Sequence, residues 1–462
     1  MQRNNHWKKL GKWAGAGVLG LTILLGHVYP LKAAEPVQVP FLSEWSISTL
    51  NEGEKYGIFP LAWYKDESFL QPIPADKFAD LLKATEKKLD QLGLKKKAAL
   101  SWSDNRVATR EAVAVSLHKL LANYEWPAGK GADVTALAPL EYMRKHGLVK
   151  GTSAGLELDQ PATVEQAAVM ASRVVEFAND LAGGGAKGLL WKVTKGQNTL
   201  YLLGSIHMGT TDMYPMQKTI RDAYEASDDL WVEADILAGD MNYMLEKMIY
   251  SDGTTLKDHV SADTYSKLQK ALASMKLPEN AFDGYKPFAV GLSLVTVGYT
   301  RSPEEGELAM LTGIDRYFLA KAMLEQKPVH ELEGIKLQAD LLSGVPAEQQ
   351  EKELNVILDS LLSGKEPAAS YQVLQDMQAK WVQGDLEGMT RVLSVEGQFD
   401  AGGLNQRLVG ERDKNMANKL AQLLEQEGEH TSFVVVGSAH YALKGMVLDQ
   451  LKEKGYQVER LK

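Results

Sequence analysis

The sequence predicts a mixed α/β fold, in which a central β-sheet is flanked by many helices and preceded by a smaller all-α repeat domain. Short apolar runs typical of buried strands alternate with helical segments in residues 189–462. Residues 40–182 carry helix start and stop signals instead. A glycine-rich stretch, residues 183–188, separates the two regions and is typical of a flexible linker.

The composition limits the class of protein. The 462 residues are 45% hydrophobic and 24% charged, enough for more than one buried core. The formal net charge of −9 argues against a nucleic-acid partner, which would need a basic surface. Because the chain has no cysteine, disulfides, thiol nucleophiles and thiolate metal sites are excluded. A transition metal would need imidazole and carboxylate ligands, which suit Mn, Co, Zn or Fe.

The N-terminus is typical of a secretory signal peptide. Four lysine or arginine residues within the first twelve precede an uncharged stretch, residues 13–28, and Ala33 and Ala34 follow. This order predicts export, with residues 1–34 as the signal peptide. An uncleaved N-terminal anchor is the alternative, and no other run approaches transmembrane length. We therefore expect a secreted or cell-envelope protein.

The N-terminal helical region contains imperfect helix–turn–helix repeats. In the clearest repeat one helix ends at Gly147, and the next begins after a threonine cap, Thr163. Another helix start, Thr109-Arg110-Glu111, resembles the S-layer homology motif. That resemblance implies a domain that binds cell-wall polymer in the envelope of a Gram-positive bacterium. A helical packing module without carbohydrate affinity is the alternative.

The elements of the C-terminal region follow from its apolar runs and turn residues. A β-hairpin is predicted at 189–203, and a helix and a short strand follow at 216–227 and 230–232. Helices then dominate to about residue 424, interrupted by a strand at 328–333. A strand, a helix and a strand close the region, at 431–436, 446–454 and 456–460.

An apolar strand followed by Gly-Ser-x-His occurs twice in this region. The first copy, 200–207, ends in His207, and the second, 433–440, ends in His440. A glycine at the end of a strand permits a sharp turn, which delivers the next polar side chain at the edge of the sheet. Because ligands of α/β folds bind at the carboxyl ends of the strands, the two imidazoles predict a shared site.

Carboxylates end two further predicted strands. Glu233 and Asp235 follow one of them, and Glu331 and Glu333 lie at the end of the other. Two imidazoles and one or two carboxylates make a metal site with room for a water molecule. A second carboxylate can accept the proton of that water. Arg412 is a candidate to clamp a substrate carboxylate or to stabilise an oxyanion.

These polar residues also have simpler interpretations. Glu233 and Asp235 can cap a following helix, and Glu331 and Glu333 can share a solvated strand face. Arg412, flanked by two acidic residues, is most simply a surface ion pair. A histidine after a strand is more often an edge residue than a ligand.

Several other residues receive no role. Ser205 and Ser438 lie outside a Gly-x-Ser-x-Gly elbow, which argues against a serine hydrolase. The remaining histidines beyond the signal segment show no partner spacing: His118, His146, His259, His330 and His430.

Ordered motifs throughout residues 189–462 match the blocks of a known family. They are 201–209, 214–215, 227–235, 313–315, 332–333 with 338, 412–416, 436–440 and 455–458. The region resembles the TraB/GumN family, which includes bacterial proteins that restrain peptide-pheromone signalling and the animal Tiki proteins. One departure is Gly334, where the family often has threonine.

The resemblance implies a function. Tiki proteins are described as metal-dependent peptidases that use two Gly-x-x-His motifs and a glutamate. By that resemblance His207, Glu233 and His440 are ligands of a divalent metal ion, and Glu333 is a base or a further ligand. We therefore expect an exported metal-dependent hydrolase that acts on peptides or proteins at the cell envelope. No nucleic-acid partner and no membrane contact beyond the signal segment are expected.

Two alternatives from other classes of function remain open. The first is a non-catalytic protein of the envelope that sequesters a peptide or a cofactor in the same cleft. The second is an envelope-anchored scaffold, in which the N-terminal repeats are the working part.

Overall fold

The computed structural model describes residues 42–64, 67–102, 108–151, 155–363, 367–394 and 411–462. The predicted signal peptide lies outside these ranges. The described residues form two compact units. We call them the helical unit, up to residue 186 with 211–218, and the sheet unit, 187–210 with 219–462. Within the described ranges, no helix combines the length and the apolar character needed to span a membrane.

The helical unit is built around one long helix. Its α-helices are α1 (Glu44–Tyr56), α2 (Ala75–Asp90), α3 (Arg110–Ala122), α4 (Pro139–Lys145) and α5 (Val164–Ala182). Helices α1, α2 and α3 all pack against α5. Small apolar side chains such as Ala167, Ala171 and Val174 are fully buried along α5 and permit this close packing.

The predicted starts and stops of these helices are confirmed. Thr163 and Gln166 form a capping box at the start of α5, because the side chain of each accepts the backbone N–H of the other. The Thr109 hydroxyl accepts the backbone N–H of Ala112 at the start of α3. Gly147 has a φ of +66°, which suits the turn after α4. Local capping explains these helix ends, and wall binding stays a prediction.

A segment from the C-terminal part of the sequence, residues 211–218, belongs to the helical unit. The ammonium of Lys88 on α2 donates to the Thr211 carbonyl at 2.7 Å. Gln91 donates to the Asp212 carboxylate at 2.7 Å. Local sequence patterns predict secondary structure along the chain, but they do not predict contacts between segments more than 100 residues apart.

The sheet unit contains a six-stranded sheet with the order β4-β3-β5-β2-β1-β6. Strands β2, β5, β3 and β4 run parallel, whereas β1 is antiparallel to both β2 and β6. The strands are β1 (Leu189–Lys195), β2 (Asn198–Ser205), β3 (Asp229–Val232), β4 (Val329–Glu331), β5 (Thr431–Gly437) and β6 (Val458–Leu461). The predicted α/β class and the predicted hairpin are both confirmed.

Many helices accompany this sheet, as the sequence predicts. Those between β2 and β4 are α6 (Lys218–Glu225), α7 (Met241–Met248), α8 (Leu256–His259), α9 (Ala262–Ser274), α10 (Pro287–Gly298), α11 (Pro303–Leu311) and α12 (Ile314–Glu325). The later ones are α13 (Ile335–Ser343), α14 (Ala347–Leu362), α15 (Pro367–Gln383), α16 (Leu386–Leu393), α17 (Glu411–Glu425), α18 (Ser438–Ala442) and α19 (Val447–Glu453).

The parallel strands bring their carboxyl ends to one edge of the sheet. Ser205 at the end of β2 pairs with Gly437 at the end of β5. Val232 at the end of β3 pairs with Val435 and with Glu331. The side chains that follow these strands are therefore delivered to the same edge, as the sequence predicts.

Candidate functional site

Gly437 marks the centre of the site at this edge. A Cβ atom built on Gly437 would lie 3.1 Å from Oε1 of Glu233, 3.6 Å from Nε2 of His207 and 3.7 Å from Cδ2 of His440. The structure therefore brings the three predicted metal ligands together around one backbone position. A side chain at position 437 would occupy the space between them.

Helix α15 supports the turn that carries His207. The Trp381 indole donates to the Gly204 carbonyl at 2.6 Å. The Gln378 amide donates to the carbonyls of Met208 and Gly209 at 2.8 and 3.1 Å. These bonds satisfy carbonyls of the irregular backbone after β2 and fix the position of His207.

The three side chains are almost completely buried. The exposed fractions are 2% for His207, 4% for His440 and 2% for Glu233. Among the described residues, no partner forms a hydrogen bond with Nε2 of His207. Nε2 of His440 lies 3.9 Å from Oε2 of Glu233. A buried imidazole nitrogen without a partner, beside a second imidazole and a carboxylate, fits the donor set of a divalent cation.

Both oxygens of Glu233 are already held by the protein. The Gly437 backbone N–H donates to Oε1 at 2.6 Å, and Nη2 of Arg412 donates to Oε2 at 3.1 Å. In the described ranges no group of three or more His, Asp or Glu side chains is arranged to hold a metal ion. Each carboxylate oxygen has a second lone pair, so an ion at Glu233 would use the lone pairs that these two donors, Gly437 and Arg412, leave. The ligand assignment stays a prediction.

Each imidazole is paired with an aspartate through its other nitrogen. Nδ1 of His207 lies 2.6 Å from Oδ2 of Asp315, and Nδ1 of His440 lies 3.0 Å from Oδ1 of Asp413. Burial opposes protonation, but these carboxylates raise the pKa of both histidines above its usual value. The Ser205 hydroxyl donates to the other oxygen of Asp315 at 2.8 Å.

Arg412 and Glu333 form a buried pair beside Glu233. Nε of Arg412 lies 2.9 and 3.1 Å from the two oxygens of Glu333, and Nη2 lies 2.6 Å from Oε2. Their side chains are 6% and 1% exposed, so the interpretations as a surface ion pair and a solvated strand face are wrong. Strand β4 ends at Glu331, and Gly334, with a φ of +91°, turns the chain so that Glu333 points inward.

The pKa of Glu333 reflects this pair. Burial raises the pKa, but the hydrogen bonds and the charge of Arg412 outweigh it, and the pKa lies below its usual range. Glu333 is therefore held as a carboxylate. A carboxylate with a lowered pKa is a weak proton acceptor, which makes the predicted role as a base less favourable.

A model of the TraB/PrgY/gumN family matches residues 189–460, more than half of the chain. The chain belongs to this family. Proteins called YbaP and described as uncharacterized, from Escherichia coli (strain K12) and Shigella flexneri, are each 28% identical over 187 residues. The matched part is 40% of this chain and spans about 65% of each relative's length. No solved structure matches the chain.

Two other acidic residues that the sequence analysis placed near strand ends, Glu331 and Asp235, accept hydrogen bonds from backbone N–H groups of this TraB-family domain. Oε1 of Glu331 accepts the Asp235 N–H at 2.7 Å. Oδ1 of Asp235 accepts the N–H groups of Leu237 and Ala238, both at 2.9 Å. Asp240, and not Glu233, caps the next helix, because its side chain accepts the N–H of Tyr243. The structure thus separates Glu233 from its acidic neighbours in the sequence.

Asp315 and Asp413 were missed as members of the site. Both lie within the sequence blocks that match the TraB family, so a signal was present. Asp315 lies 108 residues from His207, and Asp413 lies 27 residues from His440. Local spacing does not reveal such pairs. Asp413 also follows Arg412 directly, and this position suggested an ion pair between neighbours.

Two further histidines share a carboxylate away from this edge. Nε2 of His430 lies 3.0 Å from Oδ2 of Asp229, and Nε2 of His330 lies 3.6 Å from the same oxygen. The spacing of these residues in the sequence does not indicate that the two histidines share Asp229. Asp229 is the first residue of β3, whereas Glu233 follows the end of that strand.

Proposed function

We propose that the sheet unit is a metal-dependent hydrolase that cleaves peptide bonds in peptides or proteins. One observation carries the proposal: the buried Nε2 of His207 lacks a hydrogen-bond partner within the described part of the chain, and it lies with His440 and Glu233 around Gly437. The resemblance to Tiki proteins, which are described as metal-dependent peptidases, supports this chemistry.

In this proposal His207, Glu233 and His440 hold a divalent Mn, Co, Zn or Fe ion. Such an ion supplies a Lewis acid that polarises a carbonyl oxygen and makes water more acidic. The protein holds the ligands in place, because Gly437 donates to one oxygen of Glu233 and Arg412 to the other. Burial excludes bulk water and strengthens electrostatic interactions in the site.

We assign Glu333 and Arg412 to the support of Glu233. The two oxygens of Glu333 hold the guanidinium, whose Nη2 also faces Oε2 of Glu233. The carboxylates of Glu233 and Glu333 hold the pKa of Arg412 above its usual value despite burial, so the side chain stays cationic. This fixed cation holds Oε2 of Glu233 in place beside the two imidazoles.

Metal content and peptide hydrolysis of the full-length protein test this proposal. We expect about one divalent ion per chain after purification without chelator, and cleavage of a peptide library that stops when the ion is removed. His207→Ala and His440→Ala should lose both the ion and the activity. His146→Ala, which changes a histidine of the helical unit, is the matched control. Retention of the ion by folded variants of both site histidines would refute the assignment.

A binding protein without catalysis is the second candidate. One observation favours it: both oxygens of Glu233 already have protein donors, so the carboxylate is satisfied without an ion. Such a protein would bind a peptide or cofactor saturably after exhaustive chelation and would form no product. The same purified protein, with and without chelator, distinguishes the two candidates.

For the helical unit we propose binding of an anionic cell-wall polymer, which would place the protein in the envelope. A cavity of about 230 Å³ supports this proposal. Three cationic side chains, Arg110, Lys150 and Arg173, line it together with the indole of Trp45. The other lining residues are Gly151, Gln166, Val169 and Met170. Arg110 donates to two backbone carbonyls, which leaves Lys150 and Arg173 as the cations best placed for an anion.

Sedimentation of the full-length protein with purified cell-wall sacculi tests this second proposal. Lys150→Gln combined with Arg173→Gln should reduce the bound fraction several-fold. Lys83→Gln, which changes an exposed lysine of α2, is the control. Equal binding of all three proteins would exclude the cavity as the polymer site.

A further inference from the structure

We infer that Asp315 and Asp413 are positioning residues, each of which fixes one imidazole so that its Nε2 lone pair is available to a cation. The inference rests on the proposed function, because it supposes that a metal ion occupies the site. It adds two residues to which the sequence gave no role, and it states what they do.

The hydrogen bonds determine which nitrogen of each ring carries the proton. Asp315 and Asp413 are 3% and 0% exposed, and both contact Nδ1 of a histidine. A carboxylate oxygen that accepts a hydrogen bond from the ring requires the proton to lie on Nδ1. In a neutral imidazole the lone pair is then on Nε2, the nitrogen of His207 that has no partner in the described ranges.

The carboxylate of Asp315 is fixed by its surroundings. The Ser205 hydroxyl holds Oδ1 at 2.8 Å, while Oδ2 faces His207. Asp315 also lies in the first turn of α12, where the helix dipole favours a negative charge. The N–H of Ile314 donates to the Ile206 carbonyl at 3.0 Å, which ties the start of α12 to the turn that carries His207.

Gly313 permits this close approach. A Cβ on Gly313 would lie only 2.1 Å from the carbonyl oxygen of His207, so any side chain would force α12 away from the turn. The segment Gly313-Ile314-Asp315 therefore contains both the glycine that permits the close approach and the carboxylate that contacts Nδ1 of His207. Asp413 reaches His440 from a different helix, α17, directly after Arg412.

Removal of either carboxylate should weaken metal binding. A carboxylate bonded to Nδ1 makes Nε2 more basic and fixes the ring, and loss of such a partner typically reduces metal affinity about 10- to 100-fold. We expect Asp315→Asn to have the larger effect. The hydrogen bond between Asp315 and its imidazole is the shorter of the two, and the Ser205 hydroxyl also donates to the Asp315 carboxylate.

The first test measures Co²⁺ affinity of the full-length protein by competition with a chromophoric chelator. Asp315→Asn and Asp413→Asn should each bind about 10- to 100-fold more weakly, with altered visible absorption of the bound Co²⁺. Asp133→Asn is the matched control, because its carboxylate contacts Nε2 of His146 in the helical unit at 2.9 Å. If an aspartate variant does not fold, the milder change Ser205→Ala takes its place, and it should give a smaller loss of Co²⁺ affinity.

The second test measures the imidazole tautomers of the metal-free protein by ¹⁵N NMR, with signals assigned through His207→Gln and His440→Gln. At a pH where the rings are neutral, we expect both to carry the proton on Nδ1, and each Asp→Asn variant to shift its own ring towards the other tautomer. A neutral ring with its proton on Nε2 in the unmodified protein, or variants with unchanged tautomers and unchanged Co²⁺ affinity, would overturn the inference.

These two tests separate the inference from the proposed function. A protein whose rings carry the proton on Nδ1, and whose variants shift it, supports the positioning role even if no divalent ion binds. In that case the proposed function fails. If the ion binds and the aspartate variants change nothing, the proposed function stands and the positioning role is wrong.

Discussion

At the scale of single residues, the site depends on the space around Gly437. Its φ of −48° and ψ of 135° are accessible to alanine, so substitution adds a methyl group without backbone strain. That methyl would contact Glu233 and His207 at 3.1 and 3.6 Å. We expect Gly437→Ala to fold and to bind a divalent ion about tenfold more weakly or worse.

A chelator competition on folded protein checks this effect. Gly284→Ala is the control, since a Cβ there would meet no atom within 4 Å. If Gly437→Ala binds the ion as tightly as the unmodified protein, the space between the imidazoles and Glu233 is not where the ion lies.

The buried pair of Glu333 and Arg412 gives a second prediction. Glu333→Gln removes the bidentate partner of a guanidinium that is 6% exposed. Removal of one partner of a buried ion pair costs about 3 kcal/mol, and Glu233 still contacts Nη2 of Arg412, so urea denaturation should show a loss of up to about 3 kcal/mol in the free energy of unfolding.

The exposed pair of Arg391 and Glu387 supplies the control. These side chains are 70% and 91% exposed and 3.9 Å apart. Glu387→Gln should change the free energy of unfolding by less than about 0.5 kcal/mol, because water screens such pairs. Similar losses in the two variants would contradict a buried charge at Arg412.

At the scale of elements, the contact between α2 and residues 211–218 makes the stability depend on pH. Burial lowers the pKa of Lys88 from 10.5 to about 8, and the nearby Asp212 only partly offsets this effect. Below the pKa that Lys88 has in the folded protein, its ammonium is charged in both the folded and the unfolded state, so the cost of burying that charge is fully present. Above that pKa, Lys88 loses its proton in the folded protein but keeps it in the unfolded chain. The free energy of unfolding therefore rises with pH until the pH reaches the pKa of Lys88 in the unfolded chain.

Chemical denaturation at two pH values measures this effect. Between about pH 7 and about pH 9.5, the Lys88 contribution to the free energy of unfolding should rise by about 2 kcal/mol. Lys88→Met should lose this increment, whereas Lys83→Met, at an exposed position of the same helix, should keep it. An identical pH dependence of all three proteins would show that Lys88 is not desolvated.

The order of strands and helices was largely predictable from the sequence. Hydrophobic runs and turn residues predict β1, β2, β3 and β5 to within a few residues, because these signals are local. The inward turn of Glu333 was not predicted, since it depends on where β4 ends and on the positive φ of Gly334. The alternation of side-chain direction within a strand does not predict the direction of a side chain beyond the end of that strand.

At the scale of the whole molecule, the sequence predicts which residues meet at the sheet edge but not how they are paired. His207, Glu233 and His440 follow parallel strands, and strand direction alone brings them together. The pairs with Asp315 and Asp413, and the contact of Arg412 with Glu233, come from helices placed by tertiary packing. The family match begins at residue 189, so helices α1 to α5 receive no function from it.

X-ray absorption spectroscopy of the full-length protein, loaded with Zn²⁺, tests whether His207 and His440 bind one divalent ion. If they do, the spectrum should show two imidazole nitrogens at about 2.1 Å from the ion, one fewer in His207→Ala or His440→Ala, and no change in His146→Ala. An ion without imidazole ligands, or a spectrum unaltered in either site variant, would contradict this binding.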